Sequence, residues 1–237
     1  MITSRENERL KLVRKLHERR WREKLGLFAV EGEDLVAAAR EAGIEPEDVL
    51  VSGEDVDPRL LSELSTMAHP PRVVAVYRRD SLPHLSSEHG PLPPVGLALW
   101  RVADPGNVGT LLRAADALGP AFVALSAGCA DPTGPKAVRA SMGAVFRVPT
   151  CSFDEAPGRR VALVARGGVP LPEVELDARV VFCLGAEREG LPADLPVDER
   201  TSIPQSGGDS LNVALAGAIA LYERTRRATK TVSSPPS

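Results

Sequence analysis

Three glycine-bearing loops hold side chains able to grip a ligand or orient a reacting group. Residues 101–109 read RVADPGNVG, residues 185–192 read GAEREGLP and residues 203–212 read IPQSGGDSLN. Glycine lets the backbone approach a ligand closely, and Asn107, Glu187, Ser210 and Asn212 add donors and acceptors to the same loops. The first two loops follow apolar runs and the third precedes a long helical pattern. Loops at the carboxyl ends of parallel strands are where open α/β sheets bind ligands. Each of these residues also has an ordinary structural use. Asn107 can cap a helix over 108–118, Arg113 can pair with Asp116 three residues on, and Glu187 can be a surface charge. Ser210 is a good cap for the final helix, which leaves Asn212 in the first turn, where it needs side-chain hydrogen bonds to justify itself.

Several familiar chemistries fail on particular residues. Gly185 and Gly190 have the spacing of a phosphate-binding loop, but Leu191 stands where that loop needs lysine. No GxGxxG fingerprint follows the first strand of the larger unit, which argues against nicotinamide and flavin. Residues 208–211 spell GDSL, a serine esterase signature, yet the last histidine is His89, so no base follows the serine. None of His17, His69, His84 and His89 has a partner at metal-ligand spacing, so no metal is expected. Cys129, Cys151 and Cys183 are odd in number and far apart, and read as small apolar residues rather than a disulfide framework or a metal knuckle.

The elements that must position these loops fall into two units. Leu10, Val13, Leu16 or His17, and Trp21 recur at helical spacing, which predicts one amphipathic helix over 5–24 with basic residues on its outer arc. Strands at 28–30, 49–51 and 73–77 and a helix over 33–42, closed by Gly43, complete a small α/β unit of residues 1–79. Residues 80–94 hold four prolines and no apolar period, which predicts an extended linker. Residues 95–228 then alternate strands (95–100, 121–126, 145–149, 161–165, 180–184) with helices (108–118, 135–142, 211–227). The strands are nearly continuous apolar runs, as parallel strands buried on both faces should be. The Ser/Pro-rich stretch 229–237 reads as a disordered tail.

With 43% hydrophobic residues the chain can bury a real core. No apolar run of membrane-spanning length occurs and no signal-peptide pattern precedes the first element, so a soluble, cytoplasmic protein with no membrane contact is expected. A net charge of −3 argues against coating nucleic acid by bulk electrostatics. Residues 1–24 nevertheless carry nine Lys or Arg against four Glu, either a solvated face or a phosphate-binding one.

Taken in order, the three loops resemble the three motifs of the SpoU (TrmH-like) family of RNA 2′-O-ribose methyltransferases, part of the SPOUT class. The first is matched by Asp104-Pro105-Gly106-Asn107-Val108-Gly109-Thr110 with Arg113 a helical turn on. The second is matched by residues 184–191, LGAEREGL, and the third by Ile203-Pro204 through Ser210-Leu211-Asn212-Val213. Residues 135–144, PKAVRASMGA, are similar to the stretch between the family's first two motifs. Residues 28–32, FAVEG, look like the start of its RNA-substrate domain. Gln205 stands where methionine is common and Ala214 where serine is frequent.

The resemblance implies an α/β fold whose C-terminal SPOUT domain has a parallel sheet and a deep trefoil knot, preceded by a small α/β substrate-binding domain. It implies S-adenosylmethionine as cofactor, RNA as partner (ribosomal RNA ahead of transfer RNA) and a homodimer packed through the last helix. By the same likeness Arg113, Asn107, Glu187, Ser210 and Asn212 are catalytic, and Leu184, Gly185, Gly190, Ile203, Leu211 and Asn212 bind the cofactor. Two other functions stay open at this point: a catalytically silent RNA-binding or ribosome-assembly factor with the same fold, and a tRNA 2′-O-methyltransferase.

Overall fold

The computed structural model describes residues 1–67, 69–86, 91–207 and 210–233. Where periodicity predicts one N-terminal helix there are two, α1 (Glu8–Leu16) and α2 (Arg19–Leu25). The break has a local cause. The buried Arg22 guanidinium donates through Nη1 to the carbonyls of Leu16 and His17, both at 2.9 Å, so those acceptors are not left to the helical ladder. Its Nε donates to Asp131 at 2.8 Å, in the other unit of the chain. Leu10, Val13 and Leu16 are buried as expected, whereas Trp21 is only half-buried.

The first unit has an antiparallel sheet ordered β1-β3-β2, with β1 Leu27–Glu31, β2 Asp48–Val51 and β3 Val73–Arg78. Helices α3 (Glu33–Glu41) and α4 (Pro58–Leu64) flank it. The seven-residue α4, capped by the Asp57 side chain, is too short for its periodicity to show in the sequence. Alternation along the strands decides what each sheet face meets. Ala29, Val74 and Val76 pack with Leu10, Val13 and Leu16, while Phe28, Val30, Ala75 and Tyr77 join the core of the second unit.

That second unit is a parallel sheet ordered β6-β5-β4-β9-β7-β10-β8. Its strands are β4 Val95–Leu99, β5 Ala121–Leu125, β6 Thr150–Ser152, β7 Arg159–Leu163, β8 Val169–Pro170, β9 Val180–Leu184 and β10 Glu199–Ser202. Every residue of the central β4 and β9 is buried, which explains their unbroken apolar sequences. Helices α5 (Pro105–Ala117), α6 (Pro135–Ser141) and α7 (Val213–Ser233) accompany it.

The structure departs from these expectations in four places. Residues 145–149 are not a strand: Ala144–Phe146 forms one helical turn, and Phe146 plugs into Phe28 and Tyr77, with ring centroids 6.2 and 5.6 Å away. An apolar run used as a plug between units looks like a buried strand in one dimension. Strand β10, with the polar sequence ERTS, escapes detection because its one fully buried residue, Thr201, satisfies its hydroxyl on the Val169 carbonyl at 2.7 Å. The start of the expected linker, extended at Leu82 and His84, is docked rather than free. Arg79–Ser81 forms a helical turn, Leu82 packs on the core, and the backbones of Pro83 and Leu85 bond to Thr150 beside β6. Helix α7 also runs on to Ser233, into the stretch expected to be a tail. Residues 87–90 of the linker, with His89, lie outside the described residues, as do Gly208 and Asp209 of the GDSL sequence and the end of the tail, 234–237.

Candidate functional site

A cavity of about 570 Å³ opens at the carboxyl ends of β7, β9 and β10, within the range of roughly 300–1,000 Å³ usual for small-molecule sites. Leu163, Leu184, Ile203, Leu211 and Val213 supply its apolar walls, and Gly185, Ala186 and Gly190 bring backbone to its edge. The 185–190 loop folds back on itself, with Gly190 N–H donating to the Ala186 carbonyl at 2.9 Å. A Cβ on Gly185 would lie 2.1 Å from the Gly190 carbonyl carbon, and Gly190 sits at φ +68°, so both glycines are required by the turn itself. All six residues expected from the resemblance to hold the cofactor (Leu184, Gly185, Gly190, Ile203, Leu211 and Asn212) line this one cavity. Leu163, Val164 and Ala165 also line it without having been singled out. Their place at the end of a strand adjoining β9 is the signal that would have found them.

A chain of side-chain hydrogen bonds joins the three loops beside the cavity. Asn212 Oδ1 accepts the N–H groups of Ala214 (2.8 Å) and Leu215 (3.3 Å), so Asn212, not Ser210, caps α7. This leaves Asn212 Nδ2 to donate to Asn107 Oδ1 at 3.2 Å, and Asn107 Nδ2 to donate to Glu187 Oε1 at 2.8 Å. Helix N–H groups at one end and a carboxylate at the other fix both amide orientations, because neither Asn could be reversed without facing donor to donor or acceptor to acceptor. Ser210 is exposed on the cavity lining and takes no part in this chain.

Helix α5 is capped by Asp104 rather than by Asn107: Asp104 Oδ1 accepts from Asn107 N–H at 3.0 Å, and Pro105 starts the helix. Lys136, 2.8 Å from Asp104, and this N–H bond hold the Asp104 carboxyl below the usual carboxylate range. A Cβ on Gly109 would come within 2.3 Å of the Ala137 carbonyl, so the glycine lets α5 and α6 cross closely. Arg113 stands exposed on α5, outside the cavity lining. Asp116 pairs with Arg147 at 2.7 Å instead, and Arg113 has no hydrogen bond or ion pair among the described residues. Burial pushes the Cys151 and Cys183 thiols up to about 11, away from the thiolate form. Among the described residues no group of His, Cys, Asp and Glu could hold a metal ion, and no helix is long and apolar enough to cross a membrane.

This fold, a seven-stranded parallel sheet after a small α/β unit, is shared with solved rRNA and SpoU methyltransferases. The model of the SpoU rRNA methylase family matches residues 94–222, and that of an MRM3-like substrate-binding domain matches residues 7–91. The chain belongs to the SpoU rRNA methylase family. It is 32% identical to a 23S rRNA (guanosine(2553)-2′-O)-methyltransferase of Bacillus subtilis, over 93% of this chain and 97% of that one. Among solved structures it resembles an AdoMet-bound rRNA methyltransferase of Sinorhizobium meliloti (29% identity, TM-score 0.83, 95% of this chain and 97% of the other). It also resembles the SpoU methyltransferase AviRb of Streptomyces viridochromogenes in complex with AdoMet (26% identity, TM-score 0.84, 97% and 100%).

Proposed function

We propose that this chain transfers a methyl group from S-adenosylmethionine to a ribose 2′-hydroxyl of ribosomal RNA, as a homodimer. The observation that carries the reading is one cavity walled by the second and third loops, with the first loop tied to both through Asn107, which bonds Glu187 and Asn212. Apolar walls beside exposed backbone suit adenine, with Leu184, Ile203 and Leu211 against the ring and the backbone about Gly185 and Gly190 reading its edge. When bound, the cofactor supplies an electrophilic methyl on a sulfonium. This chain's residues then orient the nucleophile. The Asn107 amide, held between Glu187 and Asn212, positions the ribose, and Ser210 lies at the rim to meet cofactor or RNA. Arg113, which has no carboxylate partner among the described residues, is available to a phosphate or to the oxygen as it loses its proton. Arg113 acts by stabilising the developing alkoxide with its charge and N–H groups, while the hydroxyl proton passes to water.

In this reading residues 1–79 bind RNA and residues 95–228 bind the cofactor. The trefoil knot belongs to the same reading, and the strand order that puts β9 between β4 and β7 is consistent with it. The test is incubation of the pure protein with methyl-labelled S-adenosylmethionine and total RNA, followed by mapping of 2′-O-methyl positions with and without the gene. New 2′-O-methylation of ribosomal RNA is expected. Binding of S-adenosylmethionine without any methyl transfer overturns the enzymatic reading, and methylation confined to transfer RNA overturns the ribosomal one.

A further inference from the structure

Trp21 joins none of the three hydrophobic clusters, although its spacing from Leu10, Val13 and Leu16 would have put it in one. It lies half-buried on α2 with three cations around its ring: Lys24 Nζ at 5.1 Å, Lys15 Nζ at 5.4 Å and Arg20 Cζ at 5.6 Å from the centroid. The break between α1 and α2 makes this cluster. In one uninterrupted helix, residues 15 and 21 would sit about 9 Å apart along the axis and about 120° apart around it. Arg20 pairs with Glu18, but Lys15 and Lys24 meet no carboxylate among the described residues, and the indole is their only partner. A half-buried aromatic beside two lysines that lack a counter-charge has the chemistry of an unpaired nucleotide's site, with a π-face for the base and ammonium groups for the flanking phosphates.

We propose that Trp21, with Lys15, Arg20 and Lys24, is a stacking platform for one unpaired base of the RNA substrate, outside the cofactor cavity. The proposal rests on the RNA-methyltransferase reading above. An anionic membrane surface fits less well, because α2 has seven residues and lacks the broad apolar face such a helix buries. The platform is also held at a fixed place relative to the catalytic unit. Arg22, next to Trp21, is clamped to Asp131, and Arg19 donates to the Cys129 carbonyl at 3.0 Å. A base stacked on Trp21 would therefore set the register in which the strand reaches the cavity.

The test uses the full chain carrying Trp100→Phe, which leaves Trp21 as the sole tryptophan. A short single-stranded oligoadenylate should quench Trp21 emission, while inorganic polyphosphate and vesicles of anionic phospholipid should not. In the otherwise native chain, Trp21→Ala should weaken oligoadenylate binding roughly 5- to 150-fold, and Trp21→Phe should stay within about threefold of wild type. Replacing Lys15 and Lys24 with Gln should lower the log–log salt slope by about 1.4, the value for two lost single-strand phosphate contacts. Equal quenching by polyphosphate or vesicles, or no quenching by oligoadenylate, overturns the platform. Methyl transfer by the wild-type protein is measured in parallel. Transfer without Trp21 quenching sinks the platform and leaves the methyltransferase reading standing, and quenching without transfer does the reverse.

Discussion

Arg113 and Asn212 differ in what they contribute, one a charge and the other an orientation, and they should fail differently when changed. Arg113→Ala is expected to lower single-turnover methyl transfer more than tenfold, a barrier increase above about 1.4 kcal/mol, with cofactor affinity within about twofold. A variant keeping over a tenth of the rate would remove Arg113 from the reaction. Asn212→Asp is a finer probe, because Asp caps a helix about as well as Asn yet cannot donate to Asn107. Its melting temperature should stay within a few degrees of wild type while kcat/KM falls roughly 10- to 100-fold, the scale on which small misplacements act. Unchanged activity in a well-folded Asn212→Asp protein would show the amide chain to be only structural. The six cavity residues expected from the resemblance are found together, but Leu163, Val164 and Ala165 and the choice of helix caps were not legible in the sequence. Asp104 and Asn107, like Ser210 and Asn212, are near neighbours of equal capping skill, and only the backbone direction at each helix start chooses between them.

At the scale of elements, Arg22 shows how a charge can change its meaning on folding. In sequence it belongs to a basic arc; in the structure its side chain is 5% exposed and the Asp131 side chain 3%. Removing one partner of a buried pair leaves the other charge uncompensated, so Arg22→Ala should lower unfolding free energy by about 3 kcal/mol, read from urea midpoints. Arg79, 3.5 Å from Asp131, keeps the loss from being larger. The salt dependence of RNA binding should not change, since this guanidinium does not reach solvent. A change in salt slope at unchanged stability would mean that Arg22 contacts RNA after all. Elements with strong periodicity, such as β9 and α3, match their sequence bounds closely, whereas α4 and β10 are too short or too polar to announce themselves.

For the molecule as a whole, α7 has two unlike sides. One side of it is buried, and a Cβ on Gly217 would lie 2.4 Å from Leu111 and 3.1 Å from Leu184. The other side leaves Leu215 and Tyr222 56% exposed and Ile219 38% exposed, one apolar stripe at helical spacing. A two-fold contact through this stripe would bury each change twice. Ile219→Arg is therefore expected to convert a dimer of the 25.2 kDa chain to a monomer in sedimentation at micromolar concentration, with activity lost in parallel. A wild-type protein that already sediments as a monomer sinks the dimer.

By itself the sequence determined the parallel α/β core, the three loops and the residues that could meet a ligand, because apolar runs and glycine-rich turns are local signals that survive in one dimension. Tertiary structure alone decided which of those residues touch. The Glu187–Asn107–Asn212 chain joins positions 80 and 105 residues apart, and no local pattern encodes such a meeting. The same holds for Phe146, which serves as a plug against Phe28 and Tyr77 rather than as a strand, and for Trp21, which the helix break turns out of the core and into a ring of cations. For the amide chain and for Phe146 the deciding partner is distant in sequence; for Trp21 it is the neighbouring Arg22, which takes the Leu16 and His17 carbonyls while bonded to the distant Asp131.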